Sequence, residues 1–391
     1  MAIMNLSKGN NISLVGTVVA VDSNNNTVNF CSAKNDGSSV VTNSVKFNSN
    51  SFDKEFFDNL TEIVKQEMEN NPDMDTQKVS LILPDQLFLL DTVNIPVIHK
   101  KAMQQSLSLA IEAVYQNAAD LSLMTYAIQQ NKQTATFGIV GIRRDLLDLA
   151  NEAFVNAGAP VTGITYISNA MVDGAMALNA KLRNDTFMLI DIKRKVTRFA
   201  FVVRGCTMGY YDLPFGYEIL HRARLVSEDT LFDHRAGKLL VLNAKEKARK
   251  KQLTTEASLT YVGVEGEETE LEDSPETEVT RGGKRLPKFM QRPIPENEEE
   301  YVYENFRVFL KWALELINNN RDILSFAKLD TVYINMPDEF RFLFDIVNKK
   351  QAGRGLNFAP VVSEDYDASA AENLELYGGF SMSRFNEANN F

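Results

Sequence analysis

Phe187-Met188-Leu189-Ile190-Asp191-Ile192-Lys193-Arg194-Lys195-Val196-Thr197-Arg198-Phe199 decides the fold: an apolar strand ends on an aspartate, turns, and enters a second strand. Near the start of the chain, Val18-Val19-Ala20-Val21-Asp22-Ser23-Asn24-Asn25-Asn26-Thr27-Val28-Asn29-Phe30 follows the same plan. Each copy leads into a third strand-like run, Val40 to Phe47 and Thr207 to Leu213. A repeated supersecondary unit of this kind predicts two lobes of like topology.

Working outward, Phe56, Leu60, Val64 and Met68 recur every four residues, which predicts a helix from Asp53 to Met68, stopped by Asn70-Asn71-Pro72. Val79 to Leu83 is a short apolar strand ending at Pro84-Asp85. Residues 85–167 then read as a compact unit of their own. Its pieces are a strand from Phe88 to Val93 and a helix face of Met103, Leu107, Ile111 and Val114. A hairpin of Met124–Gln129 and Thr134–Ile142 follows, then a helix on Leu146, Ala150, Ala153, Phe154 and Ala157 closed by Gly158. Val161 to Ile167 is its last strand, and Ser168 is placed to cap the helix running to Leu178. The second half repeats the order. Three strands from Thr186 to Pro214 precede a long helix on Val302, Phe306, Phe309, Leu310, Ala313, Leu314 and Ile317, with Trp312 packing near the stripe. Thr331 to Ile334 is a strand, and Pro337 suits the first turn of a helix from Asp338 to Asn348.

At 391 residues the chain predicts two or three domains. A net charge of -11 argues against a general nucleic-acid or anionic-membrane binder, which needs a basic face. Cys31 and Cys206, both inside apolar runs, predict reduced thiols in a cytosolic protein. Met1 to Asn11 has no apolar core of signal-peptide length, and no run reaches the roughly 18 apolar residues of a membrane span. Direct membrane insertion is therefore not expected. His99, His221 and His234 lack metal spacing, and no nucleophile elbow, Walker loop or paired-cysteine motif occurs. Gly282-Gly283-Lys284 has no strand before it. Residues 244–298 alternate basic, acidic and basic blocks, and such composition predicts a mobile surface insertion.

Several pieces, taken in order, resemble one family. They are Val79-Ser80-Leu81-Ile82-Leu83-Pro84-Asp85, Asn94-Ile95-Pro96 leading into the Lys101–Tyr115 helix, and Ile139-Val140-Gly141-Ile142-Arg143 before the Asp145–Gly158 helix. Leu189-Ile190-Asp191-Ile192, Leu213-Pro214-Phe215-Gly216 and Leu374-Glu375-Leu376-Tyr377-Gly378-Gly379-Phe380 complete the set. The chain resembles the PilM family of type IV pilus assembly proteins, relatives of the division protein FtsA. The resemblance implies an α/β, actin-like (duplicated, ribonuclease-H-like) fold with an inserted small α+β subdomain. It places the first lobe at 1–84, completed by 168–185, a strand-helix-strand-strand interaction module at 85–167, and the second lobe at 186–391.

What it implies about function turns on the two hairpins. In actin-like folds they face each other across a cleft, their aspartates holding magnesium waters and a glycine two residues on admitting phosphate. Here Asp22 and Asp191 remain, while Asn24 and Lys193 stand at the glycine positions. Asn24 is expected to take the left-handed conformation, and Lys193 to sit on a solvated hairpin tip. Tyr333 to Glu339, where the fold would lay two glycines against adenine, has none. ATP with magnesium is thus the implied cofactor, and its cleft is degenerate; a non-enzymatic scaffold is the expectation. The implied partner is the cytoplasmic peptide of a PilN-like inner-membrane protein, received in a groove between module and first lobe. A secretion motor ATPase is the second implied partner, and the implied place is the cytoplasmic side of the membrane. Ser383 to Phe391 is too short and polar for the membrane-targeting helix of FtsA. The alternative is a nucleotide-binding ATPase or filament former of the FtsA or actin type.

Overall fold

Val18–Val21 and Phe187–Ile190 are apolar at every position, which a strand sustains only when both of its faces are covered. The computed structural model describes residues 2–5, 16–33, 39–48, 51–72, 74–115, 118–130, 132–220, 280–281, 284–285, 298–320, 329–351, 356–361 and 373–381. In it both segments are buried inner strands of two sheets. The first sheet is ordered β1 (Ala2–Asn5), β4 (Ser39–Lys46), β3 (Thr27–Ala33), β2 (Thr17–Asp22), β5 (Val79–Leu83) and β9 (Val161–Tyr166). The second runs β12 (Cys206–Leu213), β11 (Thr197–Val203), β10 (Thr186–Ile192), β15 (Thr331–Asn335) and β16 (Asn357–Pro360). In the first, β2, β3 and β4 pair antiparallel and β5 and β9 add in parallel; in the second, β10, β11 and β12 pair antiparallel and β15 and β16 add in parallel. The duplication therefore covers all five strands of the second sheet and five of the six in the first, where β1 is an extra edge strand antiparallel to β4.

Helices repeat as well. α1 (Lys54–Asn70), with Asp53 accepting the Phe56 N–H at 3.1 Å as its cap, follows β4 as the helix Glu298–Asn319 follows β12. A three-stranded sheet ordered β6 (Phe88–Pro96), β8 (Thr134–Arg143), β7 (Leu121–Gln130) is inserted after β5 and carries α2 (Lys100–Val114) on one face. Tyr126 projects from its other face and donates a hydrogen bond to the Thr207 carbonyl at 2.8 Å. Only glycine fits at 138 beside it, because a Cβ there would lie 2.3 Å from the Tyr126 ring.

The separate sheet ends at Arg143, short of the expected module boundary at 167. α3 (Arg144–Ala157) packs Leu146, Ala150, Ala153 and Phe154 in one core with Phe57, Leu60 and Val64 of α1, and β9 pairs with β5. Both belong to the first lobe, since an apolar stripe packs where its complement lies and not where sequence adjacency suggests. Gly158 ends α3 as expected, at φ +82°.

α4 (Ile167–Leu178) was expected to complete the first lobe. It lies between the sheets instead, sharing a core with Val18 and Ile82 of the first and Phe187, Ala200 and Val202 of the second. Beside it in that core runs the closing helix Leu374–Ser381. The pair approach backbone to backbone: a Cβ on Gly174 would sit 1.9 Å from the Leu374 carbonyl oxygen, and one on Gly378 1.7 Å from that of Ala170. Ser168 does not cap α4; Tyr166 is at the cap position. Ser168 donates through its N–H and its hydroxyl to the Asp85 carboxylate, each at 2.8 Å. A carboxylate from the β5–β6 turn thus serves the helix start from a distance.

Neither β1 nor β16, four residues each, was foreseen, and the helix expected to start at Asp338 is a 3₁₀ turn there, with the α-helix at Phe342–Gln351. The charged insertion 244–298 lies outside the described residues apart from Glu298 and a two-residue ladder, β13 (Thr280–Arg281) with β14 (Lys284–Arg285).

Candidate functional site

The two hairpin turns meet at the mouth between the sheets. In the first, Asp22 ends β2 and its carboxylate organises the turn. It accepts the Asn24 N–H at 3.0 Å and the Asn25 side-chain amide at 2.9 Å. The left-handed residue is Asn26, at φ +51°, and not Asn24 as expected, because the turn tightens only after the aspartate has gathered the two residues beyond it. The Asn24 side chain instead donates across the cleft to Asp212 at 3.2 Å.

In the second turn, the Lys193 N–H donates to the Val196 carbonyl at 2.9 Å, and the Tyr217 N–H to the Lys193 carbonyl at 2.9 Å. Gly216 makes that close approach possible, since a Cβ there would lie 1.9 Å from the Lys193 carbonyl oxygen. The expected solvated tip is corrected at Lys193. Its ammonium is largely buried, 3.0 Å from Glu375 Oε2 at the start of the closing helix and 3.6 Å from Asp191 Oδ2. Arg194, next in sequence, is the exposed residue and pairs with Glu218. Asn335, opposite Asp191 in the β10–β15 register, donates to Asp191 Oδ1 at 2.7 Å.

Arg198 went unnoticed in the sequence. It lies on β11 among buried neighbours, is 1% exposed, and reaches Asp22 Oδ1 at 3.2 Å, with its Nε 3.8 Å from Asp212 Oδ2. The signal was available: a lone cation in the apolar run Thr197–Val203 requires a buried carboxylate partner.

These pairs set the charge states. Burial alone would raise the Asp22 carboxyl, but Arg198 and the hydrogen bonds from Asn25 and Asn24 outweigh it and hold it below the usual range. Burial lifts Asp191 above its ordinary value against the lowering pull of Lys193. Burial would depress Lys193, but Asp191 and Glu375 more than restore it and raise its value. Asp85, buried behind the cleft near Asp212, is pushed up to about 7, first by burial and then by that neighbouring carboxylate.

A cavity of about 420 Å³ opens over both turns, lined by Asp22, Asn25, Lys193, Lys195, Arg198 and Met336 among others. The structure thus brings Asp22, Asp191 and Lys193 together, with Asn24 bonded across the gap. A hydrated divalent cation does not fit this donor set, because each of the twin aspartates already faces an internal cation. Met336 and Pro337 line the cavity where a nucleotide-binding actin-like cleft would present glycine.

A second cavity, about 390 Å³, separates the inserted sheet from the first lobe. Phe88, Met124, Val140 and Ile142 form one wall; Leu147, Asn151 and Val161–Ile164 form the other. Among the described residues no charged side chain lines it. β9 is the edge of its sheet and β7 of its own. Among the described residues, the large exposed apolar ones in this part of the chain are Ile98, Leu109 and Val155.

No protein-family model matches the chain, and no match is found among curated proteins. Among solved structures, the PilM–PilN type IV pilus biogenesis complex matches over 95% of this chain and 98% of that one, at 10% identity and a TM-score of 0.53. The fold is actin-like. A Bacteroides thetaiotaomicron protein of actin-like ATPase fold and unknown function matches at TM-score 0.38 and 9% identity, over 95% and 96% of the two chains. MreB5 of Spiroplasma citri bound to ADP matches at TM-score 0.38 and 12% identity, over 96% and 99%.

Proposed function

We propose that this protein is a non-enzymatic, PilM-like scaffold. Its neutral, mainly apolar groove between the inserted sheet and the first lobe receives an extended peptide from the cytoplasmic end of a PilN-like membrane protein. The observation that carries the reading is that groove, about 390 Å³ and bordered by a sheet-edge strand, in a chain whose fold matches a PilM–PilN complex. Edge strands recognise extended peptides through main-chain hydrogen bonds, and flanking apolar pockets select side chains. Among the described residues no helix is long and apolar enough to cross a membrane, so the partner supplies the attachment. Linking that partner to a secretion motor ATPase on the cytoplasmic side completes the role.

The rival reading, a nucleotide-binding ATPase or filament former, draws on the 420 Å³ cavity over the turns. Fluorescence anisotropy separates the two. Labelled peptides from the cytoplasmic N-termini of single-span membrane proteins are expected to bind saturably and to be lost in Met124→Asp, while a fluorescent ATP analogue with magnesium does not bind. Absence of any peptide binding, with micromolar nucleotide binding abolished by Asp191→Ala, reverses the assignment.

A further inference from the structure

The fold implies a metal between its twin aspartates, and the residues present do not accommodate one. We propose that Lys193 and Arg198 are tethered cations that take the metal's electrostatic place, exclude divalent ions, and hold the two lobes in one closed arrangement without any ligand. This goes beyond the scaffold reading, since it concerns the cleft and stands whether or not the groove binds a peptide.

The geometry points the same way from both sides. Arg198, on a second-lobe strand, grips Asp22 at the end of a first-lobe strand at 3.2 Å. Asn24 returns the contact, donating from the first lobe to Asp212 on the second at 3.2 Å. Lys193, on the second-lobe turn, holds Glu375 at 3.0 Å, and the helix that begins there lays Gly379 against Val18 and Ile82 of the first sheet. Three polar ties therefore join second-lobe elements to the first lobe or to the helix that covers it, through two cations, the Asn24 amide and three carboxylates, Asp22, Asp212 and Glu375; Asp191 adds a fourth carboxylate beside Lys193 within the second lobe.

A metal-dependent cleft carries unneutralised carboxylates until the ion arrives, so its closure is conditional. Here the neutralising charges are part of the chain, at an effective concentration that no free ion matches. A divalent cation would have to displace both side chains and leave their charges buried beside it, which the interior penalises. The closed state thus becomes the resting state.

The test uses the full chain with Cys31 and Cys206 replaced by alanine and spin labels at Asp58→Cys and Asp345→Cys, exposed sites on opposite lobes. Double electron–electron resonance is expected to give one interlobe distance, unchanged by MgATP or MgADP. Arg198→Met, and separately Lys193→Met whose ammonium is less deeply buried, are expected to split or broaden it. Manganese titrated into the unsubstituted chain and followed by electron paramagnetic resonance is expected to show only the free-ion signal. A wild-type distribution that narrows on MgATP overturns the proposal. So does stoichiometric manganese binding lost in Asp191→Asn, or a single distance unmoved by either methionine substitution.

Discussion

Gly378→Ala is expected to destabilise the protein more than any other single methyl group placed on the closing helix. The added Cβ would stand 1.7 Å from the Ala170 carbonyl oxygen, 2.6 Å from its carbon and 2.8 Å from the Gly174 nitrogen. All three are backbone atoms, so no rotamer change relieves the clash, and the helices must part by about 1.5 Å to reach ordinary contact. Neither has room to retreat. The next residue, Gly379, already lies against Val18 and Ile82, where its own Cβ would fall 2.4 Å from a Val18 methyl. Behind α4 are Phe187, Ala200 and Val202 of the second sheet. Overpacking a core with one methyl costs about 1–3 kcal/mol where side chains can yield; a backbone contact wedged between two sheets belongs at or above about 3 kcal/mol. Gly158→Ala is the control, because its Cβ meets nothing nearer than a Met68 methyl at 4.0 Å and suffers only its φ of +82°, about 1–2 kcal/mol. Urea unfolding followed by far-UV circular dichroism measures both. A smaller loss for Gly378→Ala than for Gly158→Ala would refute the close crossing.

Asp85, held up to about 7 by burial and by Asp212, keeps a proton in the folded protein that the unfolded chain releases near 3.8. Its contribution to stability is therefore complete below about pH 4 and falls by up to about 1.4 kcal/mol per pH unit as pH rises through 7. Asp85→Asn keeps an acceptor for the Ser168 N–H and a group that bonds its hydroxyl, so urea titrations from pH 5 to 8 should show a flatter slope; an unchanged slope assigns the linkage elsewhere. Tyr126→Phe strips the Thr207 carbonyl of its partner and should cost about 1–3 kcal/mol, read as faster proteolysis between the inserted sheet and the lobes. Trp312 is the sole tryptophan and stacks on Tyr211 at 5.3 Å, so its emission should report the second lobe alone; a shift on Phe57→Ala, in the first-lobe core, without global unfolding would contradict that.

The frame of this fold was readable because its signal is local. Val18–Asp22 and Phe187–Asp191 are apolar throughout and end on the same residue, and only covered inner strands read that way. The Gly158 cap was equally plain, since a positive φ selects glycine. Errors arose where the deciding partner lies far along the chain. The stripe of α3 is obvious, but nothing near it says that α1 receives it. Lys193 looked like a solvated tip because Glu375, 182 residues on, is what buries it. Arg198 went unnoticed because Asp22, the carboxylate that explains it, is 176 residues away. β16 escaped because four residues are too few for a period to show.

The placement of the closing helix bears on how the chain reaches its native state. Val18 and Ile82 belong to strands made early, yet Leu374–Ser381, which joins α4 in covering them, is among the last described. During synthesis that face has α4 against it but lacks the closing helix while about 290 further residues emerge, at roughly 5–20 residues per second. A half-covered apolar sheet face held for tens of seconds is a substrate for chaperones and a hazard for aggregation. The core between the two sheets is complete only once Leu374–Ser381 has joined α4.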